Sequence, residues 1–494
     1  MRIIWGMELG KPFDHGYSFF MRMERLFLQF VQREHLVDDN GRILVGLSGG
    51  PDSVALLHLL MTVAPRWHLE LRAAHLHHGI RAASDDEADF VRDLCAKWQI
   101  PLTIGRLNVP EFARREKKGL EESARELRRQ FLTQTAQETA SDRVALGHHL
   151  GDQAETVLHR LIRGAGPTGL SAMRCRQGQV IRPLLAFSRA QILEYLEQRQ
   201  IAFVKDESNE DCRFTRNRLR HQVVPLLKEI NPKIEEQLGR TAALFAEEEE
   251  YWRGVTDRLL PQIGQRLAEG WVLALDRLRS LEPAVRRRLL RRFLEDLRAT
   301  PLGLSWKQFE MLEQLLVSEN PHAQANLGDC WAGRDYERLW LLKKALPAFG
   351  PFKLTLTVPG RVTIAGVGEL EAQVCHHPDK RNAWTVEFDA DAAGDVLEVR
   401  SFGDGDRFHP FGMEGEKKLK DFFVDAGVSF WLRRRIPLLA VSGTIVWVAG
   451  VRRGAQFPVR SDSRRILRVT FRPCEEFSSF EDGGADLFGE KTTF

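Results

Sequence analysis

The chain has 494 residues, 43% hydrophobic and 28% charged. That length exceeds one ordinary core and points to about three domains of typical size. No uncharged apolar run reaches the roughly 20 residues of a bilayer span, which argues against a membrane protein. The net charge of +3, from 71 basic and 68 acidic residues, leaves nucleic-acid binding to local patches, because exposed charges are screened beyond about 10 Å.

Residues 1–20 lack the basic start, apolar run and cleavage site of a secretory signal and are expected to be an unstructured leader. The six cysteines, at 95, 175, 212, 330, 375 and 474, form no CxxC pair and no zinc spacing. Reduced structural thiols in a cytoplasmic protein are the expectation.

From Gly41 to Lys205, strand-like runs alternate with helical patterns: RILVGLS before a helix from Asp52, LELRAAHL before one from about Ser84, PLTIGRLNV before one from Leu120, and RVALGH before one from Gly151. Such alternation predicts an α/β domain over 21–230 with a doubly wound parallel sheet, whose ligands sit at the carboxyl ends of the strands. From about Asn231 long charged helices predict a mainly helical domain to 346, extended by a strand pair in NLGDCWAGRDYERLWLLKK. Beyond the Pro347, Gly350 and Pro351 punctuation, strands broken by turns predict a small mainly β domain over 350–474, and 475–494 reads as a disordered tail.

The segment LVGLSGGPDS places Ser48, Gly49, Gly50, Pro51, Asp52 and Ser53 between a strand and a helix. Glycines let a backbone approach phosphate oxygens, the two hydroxyls add donors, and the helix amino terminus offers N–H groups and partial positive charge. No Lys-Ser/Thr follows, so this is not the loop of γ-phosphate transfer; Asp52 would hold Mg²⁺ against a polyphosphate instead. The same residues also make an ordinary turn with an acidic helix cap.

His75 and Arg81, in HLHHGIR at the second strand end, are candidates for a nucleotide pocket, although a histidine there also serves as a packing residue. In GLEESARELRRQF a solvated charged face is the default reading, and spacing alone does not single out Arg128. In GHHLGDQAET, Asp152 and Glu155 are three apart and therefore neighbours on one helix face at a strand mouth. They either stabilise a helix start or form an acid pair that grips an ammonium group or a metal and takes a proton.

SGGPDS after a buried strand resembles the loop of the N-type ATP pyrophosphatases. Together with HLHHGIR, EESARELRRQF, GHHLGDQAET, RGAG and KDESNEDCRFTRNRLR, it resembles the bacterial tRNA(Ile)-lysidine synthetase family from about Arg42 to the end of the β domain. That resemblance implies ATP as substrate, Ser48 to Ser53 as its loop, Asp52 as a magnesium and catalytic residue, Arg128 as a catalytic-site arginine, and Asp152 and Glu155 as the acids that handle free L-lysine. Asp206, Ser208, Asn209, Arg216, Asn217 and Arg220 match the block closing the catalytic domain, where Arg216 and Arg220 would meet RNA phosphate. The implied RNA is the isoleucine tRNA with a CAU anticodon. Two positions depart from the family pattern: Gly151 stands where an acidic or amide residue is common, and Arg129 where a tyrosine is.

In the last domain GDRF and KKLKDFF match the family as well. Arg407, Lys417, Lys418, Lys420 and Arg433 are interleaved there with aromatics; such a run by itself usually marks a solvated face, and with the resemblance it is the expected tRNA surface, joined by Arg286, Arg287, Arg288, Arg291 and Arg292 in the helical domain. A tRNA thiolase would need reactive or cluster-binding cysteines, and a glutamine-dependent amidotransferase a second nucleophile motif. Neither is evident, and the assembly stays open between monomer and homodimer.

Overall fold

The computed structural model describes residues 22–77, 83–204, 215–298, 304–345, 349–378 and 384–474. They divide into two compact units between Tyr251 and Trp252. Arg81, Asp206, Ser208 and Asn209 lie outside the described residues.

The first unit opens with α1 (Arg22–Arg33), β1 (Arg42–Gly46), α2 (Pro51–Trp67), β2 (Glu70–His77), α3 (Ala83–Trp98), β3 (Leu102–Arg106), α4 (Val109–Glu116), α5 (Leu120–Glu138), β4 (Arg143–Ala145) and α6 (Leu150–Ile162). It continues through α7 (Pro167–Leu170), β5 (Arg176–Gln177), β6 (Val180–Ile181) and α8 (Arg189–Gln198) to α9 (Thr215–Arg218), a π-helical turn over Leu219–Val223, α10 (Val224–Ile230) and α11 (Ile234–Ile263), which runs past the division.

The strand order is β3-β2-β1-β4-β6-β5. β1 pairs in parallel with β2 on one side and β4 on the other, and only β5 is antiparallel to its neighbour. Chain progression therefore reverses between β1 and β4. At such a switch point the loops leaving the two strands diverge to opposite faces and leave a crevice between them. The sheet exists because β1 supplies Ile43, Leu44 and Val45, all fully buried, and because α2 is apolar around most of its circumference, with Val54, Ala55, Leu56, Leu57, Leu59 and Leu60 at 0% exposure. A helix buried all round belongs in a core, and here it packs under the strands with Phe27, Leu36, Phe187 and Tyr195.

The second unit begins with an antiparallel sheet ordered Gly264–Leu267, Gly270–Ala274, Arg338–Leu342, Trp331–Asp335, Gln324–Asn326. The strand pair expected near residue 335 is thus the centre of a five-stranded sheet. Helices Pro283–Leu297 and Trp306–Val317 cover it through Leu289, Phe293, Phe309 and Leu312. Residues 353–473 then form a five-stranded and a four-stranded sheet around one core with Phe388, Phe423, Trp447 and Phe471, the last strand spanning Ile466–Pro473.

The segment 430–432 is wedged between these two parts of the unit. Trp431 and Leu432 pack with Trp331 and Trp340, and the Phe430 amide donates to the buried Asp335 carboxylate at 3.1 Å. Among the described residues the cysteines are unpaired; burial pushes the Cys95 thiol up to about 11 and that of Cys175 up to about 12. No described helix is long and apolar enough to cross a membrane.

Candidate active site

The turn after β1 is held by its own side chains. Ser53 Oγ accepts from the Ser48 amide at 3.1 Å and donates to the Gly50 carbonyl at 3.0 Å, and the two serine hydroxyls lie 3.1 Å apart. Gly49 sits at φ +88, a conformation that costs glycine nothing. Gly50 caps α2 without a side chain, and Pro51, which has no N–H to leave unpaired, fills the first helical position. By helix geometry the amides of the first turn have no intrahelical acceptor, so those beginning α2 are available to an anion.

The mouth of β4 presses against this turn: a β carbon on Gly147 would lie 3.0 Å from the Asp52 carbonyl carbon and 3.1 Å from the Ser53 nitrogen. Phosphate loop and acid pair are brought together by that contact.

Asp52 Oδ1 is buried with no hydrogen-bond partner among the described residues, and burial raises its carboxyl pKa against the opposing pull of His149 and Arg189. His149 caps α6. Its Nδ1 accepts from the Gly151 amide at 3.0 Å, which leaves Nε2 for the neighbouring carboxylates. That Nε2 stands 4.0 Å from Asp52 and 3.7 Å from Asp152, between the two carboxylates. A side chain at position 151 would collide with this ring, since a β carbon there would be 2.8 Å from His149 Cε1. The Gly151 departure thus makes room for the cap.

Asp152 closes the capping box by accepting from the His149 amide at 3.0 Å. Its other oxygen accepts from Arg216 Nη2 at 2.9 Å and Arg220 Nη2 at 3.0 Å. Glu155 accepts from Arg216 Nε at 2.8 Å and from Arg220 Nε at 2.5 Å. Burial raises the Asp152 carboxyl, but His149 and Arg216 outweigh it and hold the group below the usual carboxylate range. Arg220 projects from the π-helical turn, a distortion common at functional positions. In this structure, then, Arg216 and Arg220 neutralise the acid pair.

Two histidines line the same strand ends. His75 Nδ1 bonds the Leu47 carbonyl at 2.9 Å, its buried Nε2 has no hydrogen-bond partner among the described residues, and burial lowers its pKa. The Arg128 charge also depresses it, and Arg128 itself is exposed on α5. His148 has a buried Nδ1 with no hydrogen-bond partner among the described residues, and its pKa is pushed down to about 4 by burial, with Arg182, Arg216 and Arg125 contributing and Asp152 opposing. Sequence reasoning passed over His148 and His149; the signal was the histidine doublet before a helix start, at the end of a strand.

In the second unit Arg407 pairs with Glu416 at 2.6 Å, and Lys417 with Asp425 at 2.5 Å. Lys418 and Lys420 are exposed, with no carboxylate at ion-pair distance among the described residues. Arg433 corrects the sequence expectation: it is 3% exposed, donates to the Val428 carbonyl at 3.2 Å and lies over the Tyr336 and Phe423 rings. Its charge is enclosed by aromatic faces and is no RNA surface. Arg435, 2% exposed over Phe349, is enclosed likewise.

Family models match three stretches: a PP-loop domain at 21–227, a TilS substrate binding domain at 273–340 and a TilS substrate C-terminal domain at 397–469. The tRNA(Ile)-lysidine synthase of Geobacter sulfurreducens is 36% identical over 442 residues, covering 87% of this chain and 93% of the relative. Those of Caldanaerobacter subterraneus subsp. tengcongensis, 30% identical (90% of this chain, 96% of the relative), and Dehalococcoides mccartyi, 33% identical (90% and 98%), align over similar lengths. With a loop fit for phosphate at the switch point, an acid pair beside it, and relatives aligned nearly end to end, this chain belongs to the tRNA(Ile)-lysidine synthase family.

Proposed function

We propose that the protein joins the side-chain amine of free L-lysine to C2 of the wobble cytidine in the CAU-anticodon isoleucine tRNA, consuming ATP and releasing AMP and pyrophosphate. The observation that carries this reading is the closeness of loop and acid pair, with His149 Nε2 4.0 Å from Asp52 and 3.7 Å from Asp152.

In the first step the cytidine O2 attacks the α-phosphorus of ATP and the bond to pyrophosphate breaks. The turn from Ser48 to Ser53 and the first amides of α2 bind the departing anion, whose charge grows as the bond opens. Mg²⁺ fits here: Asp52 Oδ1, a buried acceptor with no hydrogen-bond partner among the described residues, is the group beside the loop that would hold it. Among the described residues no group of three or more potential ligands competes as a metal site. What Mg²⁺ would supply at Asp52 is positive charge against the departing pyrophosphate.

In the second step the lysine nitrogen forms a bond to C2 and AMP leaves with the O2 oxygen. An alkyl ammonium with a pKa near ~10.4 must first lose a proton; Asp152 and Glu155 would bind it, and one or the other would accept that proton. Because Arg216 and Arg220 occupy their oxygens, lysine entry exchanges one cation for another at the same carboxylates.

The test is direct. Protein with ATP, lysine and the tRNA transcript should release AMP and pyrophosphate and add the mass of lysine, less water, to the wobble nucleoside. ADP as product, or an unmodified cytidine, would overturn the reading.

A further inference from the structure

Most cations in the 286–292 stretch are already committed. Arg286 pairs with Glu313 at 2.8 Å, Arg291 with Glu295 at 2.7 Å and Arg292 with Asp257 at 3.1 Å, while Arg288 lies over the Trp252 ring. Arg287 differs. It is exposed, has no carboxylate at ion-pair distance among the described residues, and rests in the angle between two aromatic rings, 4.5 Å from the Phe309 centroid and 5.1 Å from that of Trp306. The rings are 5.9 Å apart at 45°. Phe309 is core at 7% exposure, whereas Trp306 is 62% exposed, its indole N–H held by Glu310 at 2.7 Å.

An indole this open, fixed by a hydrogen bond and carrying an exposed arginine, sets an aromatic surface and a positive charge side by side. A nucleotide presents the complement of both: a π-face and a phosphate. We infer that Arg287 and Trp306 form a docking platform for an unpaired nucleotide of the tRNA, the base stacking on the indole and the phosphate meeting the guanidinium. This deepens the tRNA reading above and rests on it. The match of residues 273–340 to a substrate binding domain puts the platform in the stretch suited to that role.

Binding of the full-length chain to the tRNA transcript tests it across a salt series. Trp306→Ala should weaken the affinity roughly tenfold, and Trp306→Phe should keep most of it, since stacking tolerates any aromatic face. Arg287→Ala should lower the slope of log K against log salt by about 0.7 to 0.9, the loss of one phosphate contact. Arg291→Ala, whose cation is already paired, should leave the slope unchanged. Wild-type affinity and slope in both the Trp306→Ala and Arg287→Ala proteins overturn the platform and leave the patch as a protein contact. Equal losses in Trp306→Phe and Trp306→Ala overturn it too, by assigning the effect to packing. Failure of the wild-type chain to bind the transcript would instead refute the tRNA reading itself.

Discussion

His148 carries a distinctive pH signature. Burial holds its ring neutral down to about 4, against an ordinary 6.5, so unfolding takes up a proton between those values. Stability therefore falls as pH drops through that window. Between about pH 7 and about pH 5 the residue should account for roughly 2 kcal/mol of the loss, and His148→Gln should flatten the curve by that much in urea unfolding. Parallel curves for the two proteins would contradict it. Asp152→Asn acts differently, because Arg216 and Arg220 are left facing Glu155 with one negative charge fewer. Arg216 is 35% exposed, so the stability cost should be about 1–2 kcal/mol, below the 3–5 of a fully buried pair. The kinetic outcome is sharper: lysine incorporation should stop while adenylation, read as pyrophosphate release, persists. At this scale the sequence made the two acids visible, because three-residue spacing at a helix start is a local pattern. It hid their partners, since Arg216 and Arg220 lie 61 to 68 residues further along and only the fold brings them back. Arg433 misled for the opposite reason: a run of arginines looks solvated until aromatic rings from distant segments enclose it.

Among elements, the turn between β1 and α2 depends on two glycines for separate reasons. At Gly49, alanine would meet φ +88 and a valine methyl group 3.3 Å away, costing about 1 kcal/mol in backbone strain alone. At Gly147, alanine would push against the Asp52 backbone at 3.0 Å, and the backbone of a helix first turn cannot yield as a side chain can. Each substitution should weaken ATP binding at least about tenfold by equilibrium titration, the 1.4 kcal/mol equivalent of a small displacement of the loop. Gly50→Ala, with φ −72 and its nearest neighbour a serine hydroxyl at 3.5 Å, should unfold at the wild-type temperature. A stability loss there as large as at Gly49 would contradict the conformational argument. The alternation of strands and helices was legible because each strand is a short apolar run closed by a helix-starting residue. β4 is shorter than its apolar run suggested, ending at Ala145, since the chain must leave the sheet for Gly147 to reach the loop.

For the whole molecule, affinity for RNA should follow unpaired charge rather than charge count. Lys418 and Lys420 have no carboxylate at ion-pair distance among the described residues, whereas Arg407 and Lys417 do. The double variant Lys418→Ala/Lys420→Ala should lower the salt slope of tRNA binding by about 1.5, and Arg407→Ala by less, because its charge is already compensated. Equal slopes in all three proteins would make this face ordinary surface.

The wedge at Trp431 and Leu432 bears on the spacing of the two proposed RNA contacts. Because it ties the sheet carrying Trp331 and Trp340 to the part that follows, the Trp306 platform and the lysine pair belong to one folded body, two marks on a single ruler. If both patches meet the RNA, a tRNA whose stem is lengthened by a base pair should bind more weakly than the native one, and equal affinities would show that the fixed spacing held by these three indoles does not select arm length.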